Sequence, residues 1–472
     1  MLNNNLKYEL KLLMRSKWLI LLSISIVLLF AFATYNGNKN VAKRLTDISK
    51  MEKEFLKKDS TMLVTLTKIE KGEKVDTPYW QLPNDPITVG YRYPRLAIMQ
   101  PETLSFIATG QSDMYTHFKS PTVRGNNFAL DYSEMVNPVQ LLFGNFDLAF
   151  VFIYILPLLI IAFSFNVLSK EKELGTLRLL GAQPIAVNLW LIQKIGIRYF
   201  VFTTITIVAL FVSIELFSAV AFNDFGSLIK LLLLISGYIL FWFILSCFVN
   251  IKINDSSKNA LTLIGIWLLI VMVIPATINQ IGNSLYPTPS RLKMINEIRL
   301  IKKENEEKQN KIMNDYLRSH PELATENQDQ KFGFWHNYFA SEKIMEEKTA
   351  PLLAGYDSQL KKQQNLINMF KYVSPAILMQ QSLNNIAGTS EKHYNDFKKQ
   401  VFEFSNSWRE YLVPMLFKEQ VFTTKNYREM PRFSYKNRIS DDTWVNFMAI
   451  ISISGFIFFF FINGKKNKNI SM

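Results

Sequence analysis

The stretch FDLAFVFIYILPLLIIAFSFNVLSKEKELGTLRLLGAQP, residues 146–184, decides what kind of protein this is. Its first part, residues 146–168, is apolar apart from a few small polar residues and carries one charge, Asp147, near its start. At about 1.5 Å rise per residue, roughly 20 residues of helix cross a hydrocarbon core about 30 Å thick, so this run is long enough to span a bilayer. The charged SKEKE at 169–173 must then lie at a membrane face.

Working outward, five more runs read the same way: 18–35, 196–217, 228–250, 260–281 and 444–462. The chain is 49% hydrophobic with 37 Phe and 8 Trp, yet 19% charged, because apolar blocks alternate with charged segments. A soluble fold has little use for six helices apolar on every face. The first run follows Lys7, Lys11, Arg15 and Lys17, as a secretory signal would. Its apolar stretch is longer than a signal core and the following TYNGNKN lacks a small-x-small cleavage site, so it reads as an uncleaved span.

Orientation follows from Lys and Arg in the short segments. The N-terminus (Lys7, Lys11, Arg15, Lys17), the loop after the second span (Lys170, Lys172, Arg178, Lys194, Arg198), the next such loop (Lys252, Lys258) and the tail (Lys465, Lys466, Lys468) all fall on one side if there are six spans. The short loop 221–227 has Asp224 and no Lys or Arg, as the other side requires. Both termini are therefore expected in the cytoplasm of a multi-pass protein. The divisions are a cytoplasmic amphipathic helix at 1–17, spans at 18–35, 146–168, 196–217, 228–250, 260–281 and 444–462, a cytoplasmic loop at 169–195, and a tail at 463–472. Between them lie outer segments at 36–145 and 282–443, too long to be simple loops.

The expected fold class is an all-α polytopic membrane protein with six transmembrane helices and two large, mainly helical extracytoplasmic insertions. Apolar residues recur with helical spacing over 291–318 and 357–372, which predicts a pair of long amphipathic helices packed as a hairpin. The first insertion reads as helix over 40–70, then as an irregular region over 77–101 with Pro78, Pro83, Pro86 and Pro94, giving it an α+β character. Cys247, the single cysteine, lies inside a span, so no intramolecular disulfide supports these domains.

Before the first span, Leu6, Leu10, Leu13 and Met14 fall on one helical face and Lys7, Lys11 and Arg15 on another. Such a segment is either an interfacial helix whose basic residues meet anionic membrane lipid or a cytosolic extension of the first span.

The sequence from 137 to 184, NPVQLLFGNFDLAFVFIYILPLLIIAFSFNVLSKEKELGTLRLLGAQP, resembles the second span and first cytoplasmic loop of bacterial ABC-2-type transporter permeases. SPAILMQQSLNNIAGTS at 374–390, followed by HYNDFKKQVFEF at 393–404, resembles the second insertion of a branch with two large outer insertions. The resemblance implies a permease subunit of an ATP-binding cassette transporter in the bacterial cytoplasmic (inner) membrane, an exporter rather than an enzyme. It further implies a partner ABC ATPase that binds ATP and Mg, and a second permease chain, identical or similar. The cytoplasmic loop would dock into the ATPase through Glu171, Glu173, Gly175, Thr176, Arg178, Leu179 and Pro184. Their chemistry suits such docking, with carboxylates for donor groups, Gly175 for a sharp turn, a leucine face, and a proline stop.

No GxxxxGK[ST] phosphate loop is present, so no ATP or other cofactor is expected on this chain. His117, His320, His336 and His393 lack metal-ligand spacing, and no GxSxG elbow is present, so neither metal nor catalytic residues are assigned. The net charge of +14 is spread over membrane-flanking and mixed-charge segments, which gives no reason to expect nucleic acid. At the outer side, Glu215 and Lys230 stand across a short turn and are expected either to pair or to serve a substrate pathway. Asn166 and Pro157 read either as lining a dimer cavity and permitting a kink or as packing features. Two other readings stand beside the exporter: a mechanotransmission subunit acting on the envelope without moving a solute, and a membrane scaffold or receptor with no ATPase.

Overall fold

The computed structural model describes residues 2–109, 116–123, 146–177, 187–287, 291–307 and 334–463, and these are mostly helical. Six helices are long and apolar enough to cross a membrane. The first helix, α1 (Leu2–Met14), ends at a break where Ser16 is extended and its hydroxyl accepts the Leu19 N–H at 3.2 Å. That cap starts α2 (Lys17–Glu70), so the N-terminal amphipathic segment is a helix of its own. α2 runs 54 residues without interruption, about 80 Å at helical rise. The first span and the helical stretch 40–70 that follows it are thus a single rod.

After α2 come α3 (Pro86–Arg92), capped by the Asp85 carboxylate, and a small antiparallel ladder of β1 (Ala97–Ile98) with β2 (Phe118–Lys119). The ladder is short because prolines at 94 and 101 remove donors on either side of β1.

Next is α4 (Leu148–Glu173), which is capped by Asp147 and is not regular. It contains a π turn at Val151–Ile155 and a turn over 165–168. Pro157 lacks the N–H that an α-helix would direct to the Ile153 carbonyl four residues back, and the buried Tyr238 hydroxyl donates to that carbonyl at 3.4 Å. Then α5 (Val187–Phe217) begins well before residue 196, placing Lys194 on a helix rather than in a loop. α6 (Phe225–Lys252) is capped by Asp224 and α7 (Ser256–Leu285) by Asp255. α7 resembles α4 in that a π turn at Leu269–Val273 precedes Pro275, and the Ser374 hydroxyl donates at 2.7 Å to the Ile270 carbonyl within that turn.

The remaining helices are α8 (Arg291–Glu307), α9 (Phe334–Phe370), α10 (Pro375–Ile386), α11 (Glu391–Phe417), α12 (Thr424–Glu429) and α13 (Thr443–Asn463). α8 and α9 pack together, in keeping with the expected hairpin, although α9 starts far earlier than residue 357 and the hairpin tip lies outside the described residues.

α6 is the most enclosed span, with Tyr238, Phe241, Trp242 and Phe243 buried among α4, α5 and α13. Two pieces of the segments between spans enter this same core: Leu104–Ala108, and Ala376, Leu378, Met379 and Leu383 of α10. α10 is held there by polar contacts, with Lys371 donating to Asn446 at 3.0 Å and Asn446 donating to the Ser382 hydroxyl at 3.0 Å.

Segments 36–145 and 282–443 share cores. Met62 and Leu66 of α2 and Ile87 and Val89 of α3 pack with Phe339 of α9 and Trp408 and Leu412 of α11. Ala97 and Met99 pack with Phe397 and Val401. Arg95 and Asp59 form a buried ion pair at 3.2 Å, and Tyr427 donates to the same carboxylate. What the sequence reads as two insertions is, in its described parts, one joint body built on the distal half of α2.

Two histidines are buried in this body. Burial lowers the His393 pKa despite Asp396 and Asp441, with Lys392 adding to the shift, and lowers that of His336 despite the Leu416 carbonyl and Glu419. Below pH of about 6.5 the unfolded chain takes up protons that the folded chain refuses, so stability falls as pH falls through that value. Melting of the purified protein is expected to shift downward between pH 7.5 and 5.5, and less so in a His336→Gln/His393→Gln variant. An equal pH slope in that variant would remove the histidines as the cause.

Candidate functional site

Residues 169–177 lie at the end of the bundle where α4 stops and α7 begins, and they are fastened to α5 and α7 and, through Lys194, to α1. α4 loses regularity at 165–168, where the Leu168 N–H reaches the Asn250 side chain at 3.5 Å. Asn250 also donates to the Ser164 and Ser246 carbonyls at 3.1 and 2.9 Å and accepts from Asn259 at 3.3 Å, while the Ser164 hydroxyl donates to that of Ser246 at 2.8 Å. This buried network joins α4, α6 and α7, and it satisfies backbone groups that the turn frees.

Beyond the turn, Ser169–Glu173 forms the last helical piece of α4. The Ser169 and Ser256 hydroxyls share a hydrogen bond at 2.9 Å, and Lys172 donates to Asn254. Glu173 accepts the Ser256 N–H at 2.7 Å, placing its carboxylate at the N-terminus of α7, where free N–H groups and the helix dipole favour negative charge. Gly175 has φ +72°, the left-handed conformation that ends the helix and turns Thr176 back, so that its hydroxyl donates to the Glu171 carbonyl at 3.0 Å and to the Glu171 carboxylate.

Glu171 also accepts from Lys194 of α5 at 2.8 Å, and Lys194 pairs at 3.5 Å with Glu9 of α1. The Lys194 side chain is 7% exposed and its ammonium lies 4.7 Å from the Trp190 ring centre. One turn further along α5, Arg198 donates to the Phe163 carbonyl of α4 at 2.7 Å. Glu171 is therefore held within the chain by Lys194 and Thr176. Glu173 is likewise occupied, with an exposed flank beside the segment that follows.

Among the other residues singled out in the sequence, Arg178, Leu179 and Pro184 lie outside the described residues. Asn166 is half-buried, its carbonyl accepting the Lys170 N–H, and the polar network beside it is built on Asn250 instead. Glu215 and Lys230 do not pair. Lys230 bonds Asp441 at 2.5 Å, because α13 packs along α6 and brings Asp441 to the start of that helix, while Glu215 is on the exposed face of α5. Glu9, Lys194, Asn250 and Ser256 were not singled out from sequence as parts of this site. Asn250 carried a signal, a carboxamide at the end of an apolar run, of the kind that marks interhelical hydrogen bonding. Glu9 carried another, as the lone acid in a basic, amphipathic segment.

Among the described residues, no group of three or more His, Cys, Asp or Glu side chains is placed to hold a metal ion; His320 lies outside them. A family model described as a domain of unknown function (DUF3526) matches residues 291–436, from α8 to just past α12. No curated protein matches the chain.

Proposed function

We propose that this chain is the permease subunit of an ATP-binding cassette exporter in a bacterial cytoplasmic membrane. In this reading residues 169–184 dock on a separate ATPase that carries ATP and Mg, a second permease chain completes the pathway, and both termini are cytoplasmic. The observation that carries it is the fastening of the 169–177 segment: Glu173 holds the start of α7, Glu171 holds α5 through Lys194, and Lys194 holds α1 through Glu9. A partner that displaced this segment would move three membrane elements together. The segment's resemblance to ABC-2 permease loops names the kind of partner. α7, with 17% of its apolar window buried within the chain, offers the most open span for a second permease.

A second reading is favoured by a different observation. The unbroken 54-residue α2 joins the bundle to the outer body as one rod, which suits the transmission of a displacement to the envelope without passage of a solute.

Mild extraction of the tagged chain from its native host, with mass spectrometry of what accompanies it, tests the common part of both readings. Stoichiometric recovery of an ATPase is expected, and its consistent absence would move the assignment to a scaffold. In the recovered complex, Glu173→Ala is expected to leave insertion intact and to lower ATPase activity several-fold. Full activity in that variant would count against residues 169–177 as the coupling element.

A further inference from the structure

α1 packs along the start of α5, and between them runs an open groove of about 430 Å³ lined by Lys7, Leu10, Gln193, Gly196, Ile197 and Phe200. A groove of this size falls within the range of small-ligand sites, about 300–1,000 Å³. We propose that it holds an acyl chain of an anionic phospholipid, whose phosphate sits against the basic face of α1.

The walls are apolar except at the rim, where Lys7 and Gln193 stand. A Cβ built on Gly196 meets no atom within 4 Å, so the floor of the groove is open space that a chain can fill. The charge around it is one-sided. Residues 2–35 contain a single acid, Glu9, and it is already paired with Lys194. Lys7, Lys11, Arg15 and Lys17 are exposed, and among the described residues none of them has a carboxylate partner. An apolar slot lined by Lys7, on a segment with three further cations that lack carboxylate partners among the described residues, fits a lipid with a net negative headgroup better than a zwitterionic one. The depth is suitable, because Gly196 and Phe200 follow Lys194 within two turns and lie where the apolar part of α5 begins. Leu10 adjoins Glu9, so the groove and the Glu9–Lys194–Glu171 cluster share α1. The inference needs the chain to be embedded in a membrane, and it needs neither an ATPase nor transport.

The test is native mass spectrometry of the full chain in mild detergent, titrated with dioleoyl phosphatidylglycerol or dioleoyl phosphatidylcholine. The first is expected to be retained at least about tenfold more tightly, since each basic residue near an anionic headgroup contributes about fivefold. Lys7→Ala is expected to weaken its retention about fivefold. Gly196→Leu fills the slot and is expected to remove the retained lipid while keeping the wild-type melting temperature in phosphatidylcholine nanodiscs, because leucine suits a helix better than glycine. Equal retention of the two lipids by the wild type, or undiminished phosphatidylglycerol on a normally melting Gly196→Leu variant, would overturn the proposal. If Gly196→Leu melts abnormally, the Lys7→Ala titration decides alone.

Discussion

Lys194→Met is expected to lower the stability of the membrane bundle by about 3–5 kcal/mol, the usual consequence of removing one partner from a buried charge pair. The substitution keeps the aliphatic stem against Trp190 and removes only the ammonium. Two carboxylates, Glu9 at 14% and Glu171 at 25% side-chain exposure, then face one another without the cation that joins them. Among the described residues Glu9 Oε2 already lacks a hydrogen-bond partner, and the cation that remains near both carboxylates, Arg198, is engaged with the Phe163 carbonyl. Thermal unfolding in detergent measures the loss, and neutralising the acids as Glu9→Gln and Glu171→Gln in the same chain is expected to restore most of it. The cost lies in the uncompensated charges rather than in the worth of the pair. A loss below about 1 kcal/mol would mean that water reaches the cluster as it reaches a surface ion pair.

That cluster shows what was legible in the sequence. Six apolar runs and the charges between them are one-dimensional signals, because a bilayer demands consecutive apolar residues of fixed length. They led to helices at all six positions. Gly175 was legible for a similar reason: a glycine after a short charged helix is where a left-handed residue is needed. What Glu171 and Glu173 bind was not legible. Both looked like carboxylates free for a partner, whereas the helix ends at 173 and 256 meet in space and α5 starts early enough to carry Lys194 into reach. Pairing across 23 residues of chain, Glu171 with Lys194, and across 185, Glu9 with Lys194, depends on how helices pack, and one sequence carries no record of that.

The same limit separates Lys230 from its partner. Glu215 is close in sequence and Asp441 is 211 residues away, yet the chosen contact is the distant one because α13 runs beside α6. Segments 36–145 and 282–443 are the larger case. Their helical periodicity was readable element by element, but a shared core between residues 62–66 and 408–412 has no local signature. The prolines are intermediate: Pro157 and Pro275 announce a disturbance, while the hydroxyls of Tyr238 and Ser374 that bond carbonyls of the disturbed turns come from distant parts of the chain.

Gly37→Ala is expected to destabilise the chain by about 2–3 kcal/mol, against the usual helix preference for alanine of about 1 kcal/mol. Gly37 lies in α2 where the rod leaves the bundle, and a Cβ there would stand 2.1 Å from the Phe106 carbonyl oxygen and 3.0 Å from its carbon. The obstacle is backbone, so no rotamer change relieves it. The backbone is also pinned: the Asp147 carboxylate accepts the Thr109 N–H at 2.8 Å and its hydroxyl at 2.9 Å, the Ile107 carbonyl accepts the Ala149 N–H at 2.9 Å, and the Ala108 carbonyl accepts the Thr389 hydroxyl at 2.6 Å. Leu104, Phe106, Ile107 and Ala108 are meanwhile buried in the main core. Either this segment lifts and loses those contacts, or α2 moves away from it. Gly196→Ala is the matched control, because it changes a helical glycine that faces open space and is expected to be neutral or stabilising by up to about 1 kcal/mol. Melting temperatures of the two variants, measured side by side in the same detergent, should therefore diverge, with Gly37→Ala falling and Gly196→Ala unchanged or raised. If Gly37→Ala melts with Gly196→Ala, the 104–108 segment is not seated on α2, and the body built on the distal half of α2 is not anchored there to the helical bundle.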